Sequence, residues 1–406
     1  MDVSAGNSNN TKQFQSEEYK QEFMVRHNYP VCFTRDLFSP RNPLLASILD
    51  RFKEGRKYRA AVFVDSGVAK AHPSLMSRIE KYFKARKEME LAFAPVTVPG
   101  GEKAKRGWKH VKEIMRLLND HHLCRHSYVA AIGGGAVLDM VGFASSIVHR
   151  GLRVVRVPTT VLAQNDAGVG VKNGIDDYGA KNFAGTFSPP FAVLNDFNFL
   201  HTLSGKEWKG GIAEAFKVAI IKDREFLEFL CENAVALGKR DLPLMEKMIR
   251  RCAILHLEHI RNSGDPFESG SARPLDFGHW SAHRMEVASN YRIGHGQAVA
   301  VGIALDSFYA MRLGLLSRQE FQMIIEALAA SGLPLWYGLL EKRGEGGRLD
   351  ILEGLGQFQE HLGGGLSITL PQGLGKKCDV HRIEEGIVEE AVRYFKDLGQ
   401  GQPFSH

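Results

Sequence analysis

Cysteine is scarce: Cys32, Cys124, Cys231, Cys252 and Cys378 are scattered, odd in number and form no CxxC pair. Neither a disulfide framework nor a structural zinc cluster is indicated, and a reducing, cytoplasmic compartment is expected. Runs of five like charges are also missing. The formal net charge of +6 is interspersed along the chain, and without a basic stripe a nucleic-acid partner is not expected. No charge-free apolar stretch approaches the ~18 residues of a membrane span. Met1 to Lys20 is polar and lacks the apolar core of a signal peptide, so neither secretion nor membrane contact is expected.

What the chain has is length and glycine. Its 406 residues exceed one core of ordinary size, and 44% hydrophobic with 24% charged residues is the composition of a globular protein of two to three domains. The 42 glycines fall in clusters such as Gly133-Gly134-Gly135, which points to places where backbone approaches a ligand or takes positive φ.

Residues 1–20, rich in Asn, Ser, Gln and Glu, are read as a mobile arm. From about Tyr29, short apolar runs alternate with amphipathic stretches: Arg59–Asp65, Leu91–Val98, a helix over Glu102–Leu118, Ser127–Ile132, a helix to Val148, and Val154–Pro158. This alternation predicts a parallel sheet with helices on both faces. After about Pro190 the period becomes helical, over Gly205–Lys222, Arg224–Leu237, Leu242–Asn262, His279–Ser289, Gln297–Leu313 and Ser317–Ala330. The expected organisation is an α/β nucleotide-binding domain (21–195) followed by a mainly α-helical metal- and substrate-binding domain (196–406), with a short strand at Ser367–Leu370 and a last helix near Arg382–Leu398.

Three stretches carry chemistry. SYVAAIGGGAVLD, Ser127–Asp139, runs a buried strand through three glycines into a helix, a turn whose N–H groups and helix dipole suit a pyrophosphate, or simply a tight turn. Asp65 ends a strand where a carboxylate either receives ribose hydroxyls or caps a helix. Pro158–Asn182 gathers Thr159, Thr160, Asp166, Lys172, Lys181 and Asn182 on a glycine-containing loop, suited to a phosphate dianion or else only solvated. Glu214 and Lys217 share a face of an otherwise apolar helix, His279 and His283 share another, and His295 lies between glycines. One Glu and two His with open positions suit a catalytic zinc or similar divalent ion, although any one of them alone reads as an ordinary satisfied side chain.

GGGAVLD, VPTT with Asp166 to Lys172 and KN, GGIAEAFK, DFGHWSAH and HGQAVAVG occur in the order found in the sugar phosphate cyclases, the family of 3-dehydroquinate synthase, which the chain resembles from about Arg59 to Leu398. The resemblance implies a dehydroquinate synthase-like fold, a homodimer, and an active site between an NAD-binding and a helical domain. It assigns Glu214, His279 and His295 to the metal, zinc or cobalt. It puts Asp65, Glu102, Lys105, Gly134, Gly135, Asp139, Thr159, Thr160 and Lys181 around NAD. Asp166, Lys172, Asn182, Lys217 and His283 would meet the sugar phosphate, with Arg150 reaching its phosphate across the dimer interface.

Departures from the dehydroquinate synthase pattern bear on substrate. Asp276 replaces an Asn, Ala272 an Arg, Glu258 falls near a usual Lys, and Gln359-Glu360-His361-Leu362 replaces a lysine-bearing segment. A substrate carboxylate would be left unpaired at a cost of several kcal/mol. The pattern with Asp276 and His361 is similar to cyclases of sedoheptulose 7-phosphate, and the retained His283 leans towards a 2-epi-valiolone rather than a 2-epi-5-epi-valiolone product. Gln297 stands where the family usually has Glu. The alternatives are a true 3-dehydroquinate synthase, a metal-dependent polyol or glycerol phosphate dehydrogenase, and a relative that only binds.

Overall fold

The computed structural model describes residues 18–263, 265–267, 275–361 and 365–400. Most of the expected arm, Ala272 and Leu362 lie outside them, as do the side chains of Glu360 and His361.

The first half is built on one seven-stranded parallel sheet. Its strands are β1 (Val31–Thr34), β2 (Tyr58–Asp65), β3 (Met89–Leu91), β4 (Val96–Val98), β5 (Tyr128–Gly133), β6 (Arg153–Pro158) and, after the antiparallel hairpin β7 (Lys172–Asp177) and β8 (Ala180–Phe187), β9 (Ala192–Asp196). The order is β1-β9-β6-β5-β2-β3, with β4 also on β2. β2 shows why: Ala60, Val62 and Val64 enter one apolar cluster while Ala61 and Phe63 enter the opposite one, so both faces need helical cover. From β2 the chain first builds outwards to β3 and β4, then crosses to β5 on the other side. The crevice at the carboxyl ends of β2 and β5 is therefore a topological switch point, where open α/β sheets bind ligands.

The second half is helical around a larger core that includes Trp208, Phe216, Phe277, Trp280 and Phe395. Gly205–Lys222 and Leu242–Asn262 form where their apolar period predicts. Arg224–Leu237 instead splits into Arg224–Glu232 and Ala234–Gly238. The hairpin β10 (Ile368–Pro371) and β11 (Lys377–Val380) precedes the last helix, Glu385–Gln400. Among the described residues no helix is long and apolar enough to cross a membrane.

Two further expectations are corrected. The helix predicted over Glu102–Leu118 is a 3-10 turn, Glu102–Lys105, followed by a separate helix, Lys109–Asp120. Gly107 at φ 63° breaks it and donates its N–H to Asp176. The segment Pro158–Asn182 is not an open loop: it holds a π-helical turn, Ala163–Ala167, and then the β7–β8 hairpin. Such π turns concentrate at functional sites.

Candidate active site

At the switch point β2 ends in Asp65 and β5 in Gly133, and a Cβ on Gly133 would stand 3.1 Å from that of Asp65. Asp65 accepts the Gly67 N–H at 2.7 Å, so the capping role is real, and burial raises its carboxyl above the usual range. Gly134 and Gly135 open the next helix, Gly135–Ile147. Beside them lies Thr159, whose buried hydroxyl has no hydrogen-bond partner, while Thr160 caps the Ala163 N–H. Lys105, 4% exposed, donates to Asp139 at 2.7 Å and also to Asn182, so three of the expected cofactor and substrate residues form one cluster.

The second cluster lies on the helical half. Glu214 is fully buried on Gly205–Lys222, and its oxygens face different partners. Oε2 is 2.5 Å from Lys217 Nζ; Oε1 is 3.2 Å from His295 Nε2 and 3.9 Å from His279 Nε2. Burial opposes its charge, but Lys217 and the two histidines hold the carboxyl well below the usual range. Lys217 is also 3.4 Å from Asp166, and burial is outweighed by Asp166 and Glu214, so it stays an ammonium. Burial and Lys217 lower His279, and burial with Lys181 lowers His283 further, so both imidazoles are neutral.

These residues fit a divalent ion. The donor atoms of Glu214, His279 and His295 lie within 4.8 Å of one another, and neither Glu214 oxygen has a hydrogen-bond partner of good geometry. The outer ring nitrogens are already used: His279 Nδ1 lies 3.0 Å from the Phe277 carbonyl and His295 Nδ1 3.0 Å from Glu286 Oε2. That arrangement turns both Nε2 atoms towards Glu214, as ligating histidines require.

The remaining expected residues are spread around these clusters. Asp276 adds negative charge near Lys217. Lys172 starts β7 and is exposed. Arg150 is exposed on a turn at φ 64°. Lys181 is committed to Glu286, at 2.7 and 2.8 Å from its two oxygens. Gln297 donates to the Lys206 carbonyl at 2.9 Å. His361 ends the helix Glu353–His361.

Three participants escaped sequence reasoning. His256 Nδ1 is 3.2 Å from Asp166 Oδ1, and burial keeps the ring neutral. It continues the buried stripe Met245, Ile249, Cys252, so its helical period was the signal. Glu286 and the fully buried Arg156 are the others. Arg156 donates to the carbonyls of Gly168 (3.2 Å), Gly170 (2.8 Å) and Lys172 (2.8 Å) and to Asn173 Oδ1 (2.7 Å).

Residues 95–210 match the 3-dehydroquinate synthase N-terminal family model, and residues 211–345 match the C-terminal one. The chain belongs to the 3-dehydroquinate synthase family of sugar phosphate cyclases. Among its relatives, 2-epi-5-epi-valiolone synthase of Streptomyces glaucescens is 34% identical over 366 residues, 90% of this chain and 89% of that protein. The 3-dehydroquinate synthase of Campylobacter fetus is 33% identical over 74% of this chain and 84% of that one. The solved structure of 2-epi-5-epi-valiolone synthase from Streptomyces hygroscopicus, with NAD+ and Zn2+ bound, superposes with a TM-score of 0.82 at 26% identity, over 94% of this chain and all of that chain.

Proposed function

We propose that this cyclase converts sedoheptulose 7-phosphate to a valiolone-type seven-carbon cyclitol with loss of phosphate, using bound NAD and one divalent ion, zinc or cobalt. Bound NAD would supply reversible hydride acceptance at a ring alcohol and the ion Lewis acidity at that oxygen; the ketone so formed would make the adjacent C–H acidic enough for phosphate elimination.

The protein's own residues supply the rest. Glu214, His279 and His295 hold the ion with three ligands, which leaves positions for substrate oxygens. Asp65, the turn Gly133–Gly135, Thr159, Thr160, Glu102, Lys105 and Asp139 take the dinucleotide at the switch point. Lys172 and Asn182 hold the phosphate, joined in a homodimer by Arg150 from a second copy. Asp166 and Lys217 orient the ring hydroxyls. Neutral His283 is placed to move a proton between ring oxygens. Enclosure by both halves keeps reduced cofactor and intermediates from solvent and holds the opened chain for the closing intramolecular aldol step.

One observation carries the choice of substrate. Asp166 and Asp276 both act on the Lys217 ammonium and His256 beside them is neutral, so among the described residues the cations of this wall are Lys217, already matched by carboxylates, and Lys172, assigned to the phosphate. Burying an uncompensated carboxylate there costs several kcal/mol.

The test is parallel incubation with sedoheptulose 7-phosphate and with the seven-carbon keto acid phosphate, each with NAD and zinc or cobalt. Phosphate release and a cyclitol from the first, its stereochemistry assigned by NMR, are expected without net NADH. Turnover of only the acid makes the protein a 3-dehydroquinate synthase. Accumulating NADH makes it a dehydrogenase.

A further inference from the structure

A second group of donor atoms lies beside the first: those of His283, Glu286 and His295 also fall within 4.8 Å of one another. Its cationic place is already filled. Lys181 puts its ammonium on both Glu286 oxygens, at 2.7 and 2.8 Å, with the side chains only 15% and 1% exposed. Lys181 belongs to β8 of the first half, whereas Glu286 belongs to the helix His279–Ala288 of the second. Glu286 Oε2 also lies 3.0 Å from His295 Nδ1. A partly buried lysine of the nucleotide-binding half thus reaches, through one carboxylate, a ligand of the metal centre in the other half.

We propose that Lys181 is a positioning residue for the metal centre: by anchoring Glu286 it fixes the orientation and tautomer of His295, so the affinity for the divalent ion is set partly from the opposite domain. This rests on the reading of Glu214, His279 and His295 as metal ligands. A carboxylate that loses its anchor still bonds the imidazole, but over a range of angles, and loss of such outer partners costs 10–100-fold in metal affinity.

The experiment measures zinc affinity of the full chain without NAD, by competition with a chromophoric chelator, together with the visible spectrum of the cobalt form. Lys181→Met is expected to lose tenfold or more and to alter the cobalt bands, and Lys181→Arg to recover most of the loss. Glu286→Gln should do as Lys181→Met does, and the double variant should lose no more than Glu286→Gln alone, because both act through one link. A folded Lys181→Met protein that loses less than tenfold overturns the proposal. If that variant does not fold, Glu286→Gln decides by the same threshold. Glu214→Ala separates the two levels of inference. Zinc retained by Glu214→Ala refutes the metal site itself, whereas zinc lost there but kept by Lys181→Met refutes only the role of Lys181.

Discussion

Replacing Arg156 by Met tests how the segment bearing Asp166 and Lys172 is held. Arg156 lies in β6, is fully buried and has no carboxylate in ion-pair range among the described residues; burial lowers its affinity for its proton. Its two terminal nitrogens instead serve four oxygens of residues 168–173. Hydrogen bonds from a charged donor contribute about 1.5–3 kcal/mol each. Against the sum stands the several kcal/mol cost of burying an uncompensated guanidinium, which methionine would relieve. A net loss of about 3–5 kcal/mol follows, and at roughly 2–4 °C per kcal/mol for domains of this size Tm should fall by roughly 6–20 °C. The functional loss should be selective. The four acceptors run from just after Asp166 into the first two residues of β7, so on the proposed function KM for the sugar phosphate should rise at least tenfold, while zinc affinity, assigned to Glu214 and two histidines on other helices, should hold. Thermal unfolding, chelator competition and steady-state kinetics read the three quantities. An Arg156→Met protein that melts within about 2 °C of the parent, less than the shift expected for 1 kcal/mol, or that loses zinc and sugar phosphate binding in parallel, would refute the assignment.

Two further outcomes follow from the packing of the ligand-bearing helices. A Cβ on Gly296 would stand 2.2 Å from the Gly210 carbonyl oxygen, so Gly296→Ala should force apart the helices of His295 and Glu214, cost about 1–3 kcal/mol and weaken zinc binding; unchanged zinc affinity would contradict this. Asp306 accepts from the Gly278 N–H (2.9 Å) and the Trp280 indole (2.8 Å), and burial pushes its carboxyl up to about 7. The folded state therefore keeps this proton to higher pH than the unfolded chain, whose Asp titrates near ~3.9. Its contribution is full below about pH 4 and lost as pH rises through about 7, so denaturant midpoints should decline across that window, and less steeply in Asp306→Asn.

The sequence showed some of this architecture because some of it is local. An apolar stripe of helical period needs only its own residues, which is why Gly205–Lys222 and Leu242–Asn262 have the predicted bounds. Glu214 and Lys217 were legible for the same reason: two charges on an apolar face must find partners. Glu258 was singled out on the same helix as His256, but it lies two positions on, about 200° around the axis, and His256 is the residue beside Asp166. The β7–β8 hairpin was hidden by glycine and lysine, which read as loop until register with the partner strand is known. Lys181 and Glu286 are 105 residues apart, and no periodicity connects them.

The excess of glycine also takes a different meaning from a set of phosphate-binding loops. Three of the closest approaches join the elements bearing the proposed metal ligands to each other or to the turn bearing Asp166. Gly296 faces Gly210, Gly302 faces the Gly278 carbonyl at 1.9 Å from a would-be Cβ, and Gly211 faces Val161 and the Leu162 nitrogen. Gly210 and Gly211 lie one turn before Glu214, Gly278 precedes His279, and Gly296 follows His295. Three side chains on three separate helices can converge within 4.8 Å only if their backbones come closer than ordinary side chains allow. Missing Cβ atoms at the crossing points supply that closeness, so the composition reflects the construction of a shared ligand point as much as contact with any ligand.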